Sequence, residues 1–330
     1  MQQTRDTSAS ADPRRELGLA WSRQALHRPD LTCHALAGDA SFRRYFRLAD
    51  GNDSWVLMDA PPEREDCRPF VDVAQRLRAS GVEAPHILAQ DLERGFLLLE
   101  DLGDELLADE LHGDNADHWM PRLFTLLQRL AGHVDAQGLP DYDPQRLLTE
   151  LELFTNWYLE RHKGLRLSSA DQEVWEALCS RLIGNALEQP QVFVHRDFHS
   201  ANLLRAPDAG IGVIDFQDAV RGPLSYDFAS LVWDRYIPWP RARLETWMAD
   251  MRRRVAVDVD PGTWTRWCDW MGLQRNLKIV GIFARLHYRD GKAGYLEMVP
   301  RFWGYVQDVL PRYEETREFH ALLERLHCAP

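Results

Sequence analysis

The chain has 330 residues, 45% of them hydrophobic and 27% charged, with a formal net charge of −12, a balance ordinary for a soluble globular protein. That length permits one large domain or two smaller ones, and the acidic balance argues against nonspecific nucleic-acid binding. No apolar stretch reaches the roughly 18 residues of a membrane helix, and residues 1–15 lack a signal-peptide core and read as an unstructured start.

In chain order, short apolar or alternating runs at residues 32–37, 45–48, 55–58, 87–90 and 96–99 predict strands, punctuated by Gly38, Gly51, Gly81 and Gly95. Between them Phe70, Val73, Ala74 and Leu77 recur at helical spacing, so residues 66–79 predict a helix that Gly81 stops. After Gly103 the texture becomes helical. One face carries Trp119, Leu123, Leu126, Leu127 and Leu130. The next carries Leu147, Leu151, Phe154 and Tyr158, and a third Val174, Ala177, Leu178 and Leu182. Residues 192–214 interrupt with strands and loops, and the remainder is mostly helical. Cys33, Cys67, Cys179, Cys268 and Cys328 show no C-x-x-C spacing. An odd, scattered set suits reduced thiols in the cytoplasm, not a disulfide or zinc framework.

The chemistry concentrates in His195-Arg196-Asp197-Phe198-His199-Ser200-Ala201-Asn202, an H-x-D-x-x-x-x-N stretch, and in Ile214-Asp215-Phe216, where an apolar strand ends in a carboxylate. Phosphoryl transfer from ATP needs a carboxylate to take the acceptor hydroxyl's proton, which suits Asp197. It also needs hard oxygen ligands for Mg²⁺, which suits Asn202 and Asp215. The bland alternative is an Asp and an Asn capping a turn. The spacing resembles the catalytic loop and metal aspartate of protein kinases.

From Gly38 to Asp234 the layout resembles the protein-kinase-like superfamily, and more closely its aminoglycoside-phosphotransferase branch. That resemblance implies an α+β, two-lobed fold: a small β-rich nucleotide-binding lobe over residues 1–100 and a large helical lobe over 101–330 with the catalytic loop and acceptor site. It implies a hinge at Phe96-Leu97-Leu98-Leu99-Glu100-Asp101-Leu102, where the backbones of Glu100 and Leu102 would read adenine. It puts Ser41 and Phe42 in the phosphate-covering loop, although the loop is not G-x-G-x-x-G. Trp55-Val56-Leu57-Met58 aligns with the V-A-I-K strand, so Val56 belongs to the nucleotide contacts and Met58 replaces the phosphate-binding lysine. The chain has no lysine before Lys163. Tyr45 would pack over adenine, and strand alternation puts Arg43 and Arg47 on its face with Arg44 opposite. Either Arg43 or Arg47 would then neutralise phosphate, oriented by Glu63 or Glu65, unless both are a solvated basic edge. Asp215-Phe216-Gln217 lacks the glycine of D-F-G and no A-P-E follows, which disfavours a protein substrate. Asp227 would tie the catalytic loop to a helix, and His195 would support the loop from within.

The acceptor should meet the helical region after Asp101. Most of its tryptophans (Trp157, Trp233, Trp239, Trp247, Trp264, Trp267, Trp270, Trp303) at helical spacing predict core. Arg275, Lys278 and Arg285 fall near one helix face, which is either a surface salt-bridge face or a cationic wall. Such a wall would repel polycationic aminoglycosides and suit an acceptor with a carboxylate or N-acetyl group. His199, Asn276, Glu152, Trp157 and His162 are further candidates for the same cleft. The stretches 39–47, 58–63 and 274–278 resemble bacterial anomeric N-acetylmuramate/N-acetylglucosamine kinases of peptidoglycan recycling. This resemblance implies ATP, Mg²⁺ and phosphorylation of the C1 hydroxyl, with Arg275 facing the lactyl carboxylate, and no nucleic-acid, membrane or obligate protein partner. A kinase for another small alcohol, or a nucleotide-binding pseudokinase, remains the alternative.

Overall fold

The computed structural model describes residues 12–36, 42–206, 210–234 and 237–330. Helix α1 (Pro13–Leu26) opens them, capped by the Asp12 side chain with Pro13 at its first turn. The unstructured start expected through residue 15 therefore ends at Asp12. The helix escaped notice because its buried residues, Gly18, Leu19 and Ser22, form no apolar stripe. The sheet is antiparallel, in order β1 (Thr32–Ala35), β2 (Arg44–Asp50), β3 (Asp53–Asp59), β5 (Phe96–Glu100), β4 (Ile87–Asp91). Helix α2 (Arg68–Ala79) precedes β4 and begins two residues later than the sequence suggests.

The sheet has two covered faces. Phe46, Leu48, Leu57, Phe96 and Leu98 pack with Leu19 of α1 in a small core. Tyr45, Met58, Leu97 and Leu99 turn the other way and join the main core with Phe70, Val73 and Leu77 of α2. A strand covered on both sides reads as continuous apolar residues, which accounts for Phe96-Leu97-Leu98-Leu99. Fully buried Asp59 accepts from Arg14 at 2.6 Å and from Arg44. That bridge pins α1 to the sheet and sends Arg44 away from Tyr45.

The helical part comprises α3 (Leu107–Glu110), α4 (Ala116–His133), α5 (Pro144–Leu153) and α6 (Ser169–Leu187). Helix α5 widens into a π-helix, Phe154–His162. Strand β6 (Gln191–Val194) pairs with β9 (Val220–Pro223), and β7 (Leu203–Arg205) with β8 (Ile211–Val213). Then follow α7 (Tyr226–Val232), α8 (Arg241–Val255), the long α9 (Pro261–Asp290), α10 (Val299–Val309) and α11 (Arg317–Arg325). Helix α9 is the axle, packing on α5, the π-helix, α6, α7, α8 and α10. Two glycines set its approach. A Cβ on Gly272 would lie 2.7 Å from the Trp233 ring, and one on Gly281 would lie 2.3 Å from the Leu153 carbonyl carbon. Gly281 meets the chain where α5 turns into the π-helix. Nine of the ten tryptophans after Asp101 are buried, leaving Trp157 half-buried. No helix among the described residues is long and apolar enough to cross a membrane. All five cysteines are buried and free.

Candidate active site

The loop that carries Asp197 joins β6 to β7 and is held from beneath. His195 is fully buried. Its Nε2 faces the Ile214 carbonyl oxygen at 3.0 Å, and the Asp197 N–H approaches its Nδ1 at 3.3 Å. Those partners fit a neutral ring with its proton on Nε2, and burial lowers its pKa against the charges of Asp227 and Asp197. His195 is thus a support for the loop. Asp227, in the first turn of α7, accepts the N–H groups of His195 (2.7 Å) and Arg196 (3.0 Å), tying the loop to α7. Ser200 donates through both N–H and Oγ to buried Asp234.

Backbone strain marks the same place. Among the described residues only four non-glycine residues have positive φ, and two of them are Arg196 (76°) and Asp215 (60°). Such conformations persist only where the surroundings over-determine them. Asn202 donates from Nδ2 to the Asp197 carbonyl at 2.9 Å, and that nitrogen lies 3.4 Å from an Asp215 oxygen. The amide is thereby oriented so that Oδ1 is the atom it can offer a cation. Among the described residues no three His, Cys, Asp or Glu side chains gather as a metal cluster. Mg²⁺ does not need one: one or two carboxylates with phosphate and water oxygens complete its shell, so Asp215 and Asn202 fit it in donor chemistry.

Asp197 is partly buried. Burial pushes its carboxyl up, but the charges of Lys278, His199, Arg196 and Arg275 outweigh burial and hold it below the usual carboxylate value. The structure therefore gathers Asp197, His199, Arg275 and Lys278 from distant sequence. Arg275 is buried and donates to the Trp233 carbonyl at 3.4 Å. Lys278 donates to the Tyr226 hydroxyl at 3.0 Å and pairs with Glu150 at 3.3 Å. Asn276 is fully buried, with neither amide atom hydrogen-bonded among the described residues.

Glu152, Trp157 and His162 are not brought there. Glu152 is exposed, and its charge acts on Cys179 of α6. Trp157 packs on the main core, and His162 meets the Tyr288 hydroxyl at 3.0 Å. The carboxylate of α5 that does enter the site is Glu150. It accepts from Arg196 at 2.6 Å, from Gln274 at 3.3 Å and from the Tyr142 hydroxyl. Residues two apart on a helix point about 200° apart, so Glu150 and Glu152 face opposite ways. The signal for Glu150 was present: an acid on the apolar stripe of Leu147 and Leu151 is a buried charge that needs partners. Arg285 lies two turns beyond Lys278 on α9, where burial and the neighbouring Arg289 depress its pKa.

On the nucleotide side Tyr45 pairs with Met58 and Arg47 with Val56, so all four share one face. Met58, at the lysine position, is fully buried. Arg43 and Arg47 part company. Arg43 pairs with Glu65 at 2.9 Å just ahead of α2. Arg47 forks onto Asp101 at 2.7 and 3.1 Å and reaches Asp104 at 2.8 Å, which clamps β2 to the segment after β5. Beside them the Phe216 ring packs tilted against Phe70 of α2, centres 4.7 Å apart, joining the segment after β8 to the helix. At the hinge the Glu100 N–H is taken by the His86 carbonyl at 2.8 Å, leaving its carbonyl and the Leu102 N–H as groups to face a ligand. Leu102 is buried against Gly212 of β8. Phe42 is exposed beneath the Arg64 guanidinium, 4.7 Å from the ring centre. Ser41 lies outside the described residues.

Several known proteins are similar to this chain. The chain is 46% identical over 297 residues to an N-acetylmuramate/N-acetylglucosamine kinase of Pseudomonas aeruginosa, covering 88% of this chain and 87% of that one. It is 35% identical to the protein of that name from Neisseria meningitidis, covering 93% and 94%. A Plasmodium vivax ethanolamine kinase superposes with a TM-score of 0.65 at 11% identity, covering 90% and 88%. The GDP complex of wild-type aminoglycoside 2'-phosphotransferase-IIIa gives 0.62 at 12% identity, covering 88% and 99%, so this chain shares the fold of both solved structures. The model of the phosphotransferase enzyme family matches residues 32–267, and the chain belongs to that family.

Proposed function

We propose that this kinase transfers the γ-phosphoryl group of ATP to the anomeric C1 hydroxyl of N-acetylmuramate and N-acetylglucosamine, in the cytoplasm, as a step of cell-wall recycling. The observation that carries the reading is the setting of Asp197, whose backbone carbonyl accepts from the Asn202 amide that also meets Asp215, and whose carboxylate feels the charges of Lys278 and Arg275. The relatives' names point to the same acceptors.

The nucleotide lies between residues 1–100 and 101–330, its adenine read by the Glu100 carbonyl and the Leu102 N–H. Tyr45 and Val56 line that pocket, Phe42 covers the phosphates, and Arg43, oriented by Glu65, supplies the cation that Met58 cannot. Arg47 serves the site by holding the hinge. Asp215 and the Asn202 side-chain Oδ1 would hold Mg²⁺, whose charge would offset that of the phosphates. Asp197 accepts the proton of the C1 hydroxyl as that oxygen bonds the γ-phosphorus and the bond to the β–γ bridging oxygen breaks. ADP leaves with the electron pair. Arg275 and Lys278 form a cationic wall that favours the lactyl carboxylate and repels polycations, with His199 and Asn276 beside it. The methyl 1-O-glycoside of N-acetylglucosamine lacks the reacting hydroxyl. Full turnover of the free sugar and none of the glycoside is the expected result. Equal rates would overturn the anomeric assignment.

A further inference from the structure

We infer that Glu150 is a positioning residue that couples the catalytic loop to the acceptor helix. The inference rests on the reading of Asp197 as the base. Glu150 is 8% exposed and has partners on three separate elements. From the loop, Arg196 donates Nη2 to it at 2.6 Å. From α9, Lys278 lies at 3.3 Å and Gln274 donates at 3.3 Å. From the segment before α5, the Tyr142 hydroxyl donates to it.

The geometry gives this junction a task. Arg196 holds a left-handed φ of 76° immediately before Asp197, and its guanidinium sits 5.6 Å over the Tyr142 ring. Asp227 fixes only the backbone of this residue; its side chain is held by Glu150 at 2.6 Å, with a longer 3.5 Å contact to the Asp218 carbonyl. Lys278 is held by the same carboxylate and by Tyr226. Two cations beside Asp197 therefore share one buried counter-charge. Removing that charge leaves both to repel each other and to compete for Asp197. In kinases switched by phosphorylation, a phosphate orders the activation loop by pairing with arginine. Here a carboxylate of the chain itself supplies a permanent partner for the loop arginine, so this loop is ordered without modification.

The test is a double-mutant cycle on Glu150→Gln and Arg196→Met, with Asp197→Asn in parallel, read as kcat and KM for ATP and for the amino sugar. Glu150→Gln keeps the shape and one oxygen acceptor but loses the charge. The expected result is a kcat loss of about 10- to 100-fold with ATP KM within twofold, the ATP value showing that the protein is folded. The double variant is expected to be no worse than the weaker single variant, because both sides of the pair are gone. Normal kcat in Glu150→Gln, or effects that multiply in the double variant, would overturn the coupling. Should Glu150→Gln fail to fold, the charge-neutral double variant decides: an inactive but ATP-binding double variant contradicts the inference. Asp197→Asn with full turnover would instead overturn the underlying assignment of the base.

Discussion

The proposed role of Arg43 as the phosphate-side cation is tested by replacing it with alanine. The side chain is 11% exposed and lies 2.9 Å from Glu65, so it is already ordered before nucleotide arrives. A hydrogen bond to a charged group contributes about 1.5–3 kcal/mol, and each 1.4 kcal/mol is about tenfold. Arg43→Ala should therefore lower kcat/KM for ATP by about 10- to 150-fold. Arg47 sits four residues along β2, about 13 Å away at strand spacing, clamped to Asp101. Arg47→Ala should weaken ATP use less than Arg43→Ala does and should lower thermal stability through the hinge. Glu65→Gln, which frees Arg43 without removing its charge, should fall between. Initial rates against ATP concentration at saturating amino sugar separate the three. Unchanged ATP kinetics in Arg43→Ala, or a larger loss in Arg47→Ala, would refute this assignment.

Asp197→Asn should lower kcat by about 10²- to 10⁴-fold with ATP binding retained, measured by calorimetry and steady-state rates. Gly281→Ala forces a Cβ against the Leu153 backbone and should destabilise by about 1–3 kcal/mol. Gly132→Ala, in α4 with nothing within 4 Å of the new Cβ, should be neutral or stabilising by up to about 1 kcal/mol; thermal denaturation compares them. The hydrogen bond from Arg325 holds the Asp171 carboxyl down to about 2, helped by Ser168. A folded pKa below the unfolded value contributes stability that is present above about 4 and is lost as pH falls through about 2. The difference in melting temperature between wild type and Arg325→Ala should be widest above pH 4 and should close toward pH 2.

What the sequence disclosed followed from how local each signal was. Asp197, Asn202 and Asp215 could be chosen because one loop and one strand fix their spacing. The strands appeared because alternation and glycine turns act over a few residues, and β5 appeared because burial on both faces leaves a continuous apolar run. Helix α1 was missed because ion pairs from Arg14 to Asp59 dock it more than an apolar stripe does. What separates Arg43 from Arg47 was illegible, since both share a face; their different partners, Glu65 and Asp101, come from other segments. The shift from Glu152 to Glu150 has the same origin. The acid on the buried stripe is the one α9 reaches with Lys278, and that contact spans residues far apart in the chain.

The most direct measurement is ³¹P NMR of the purified protein with Mg·ATP and N-acetylmuramate, with N-acetylglucosamine and an aminoglycoside as parallel acceptors. The expected result is a new sugar 1-phosphate resonance, split by the anomeric proton, with both amino sugars and none with the aminoglycoside. Phosphate on the aminoglycoside, or on a hydroxyl other than C1, would contradict the proposed reaction.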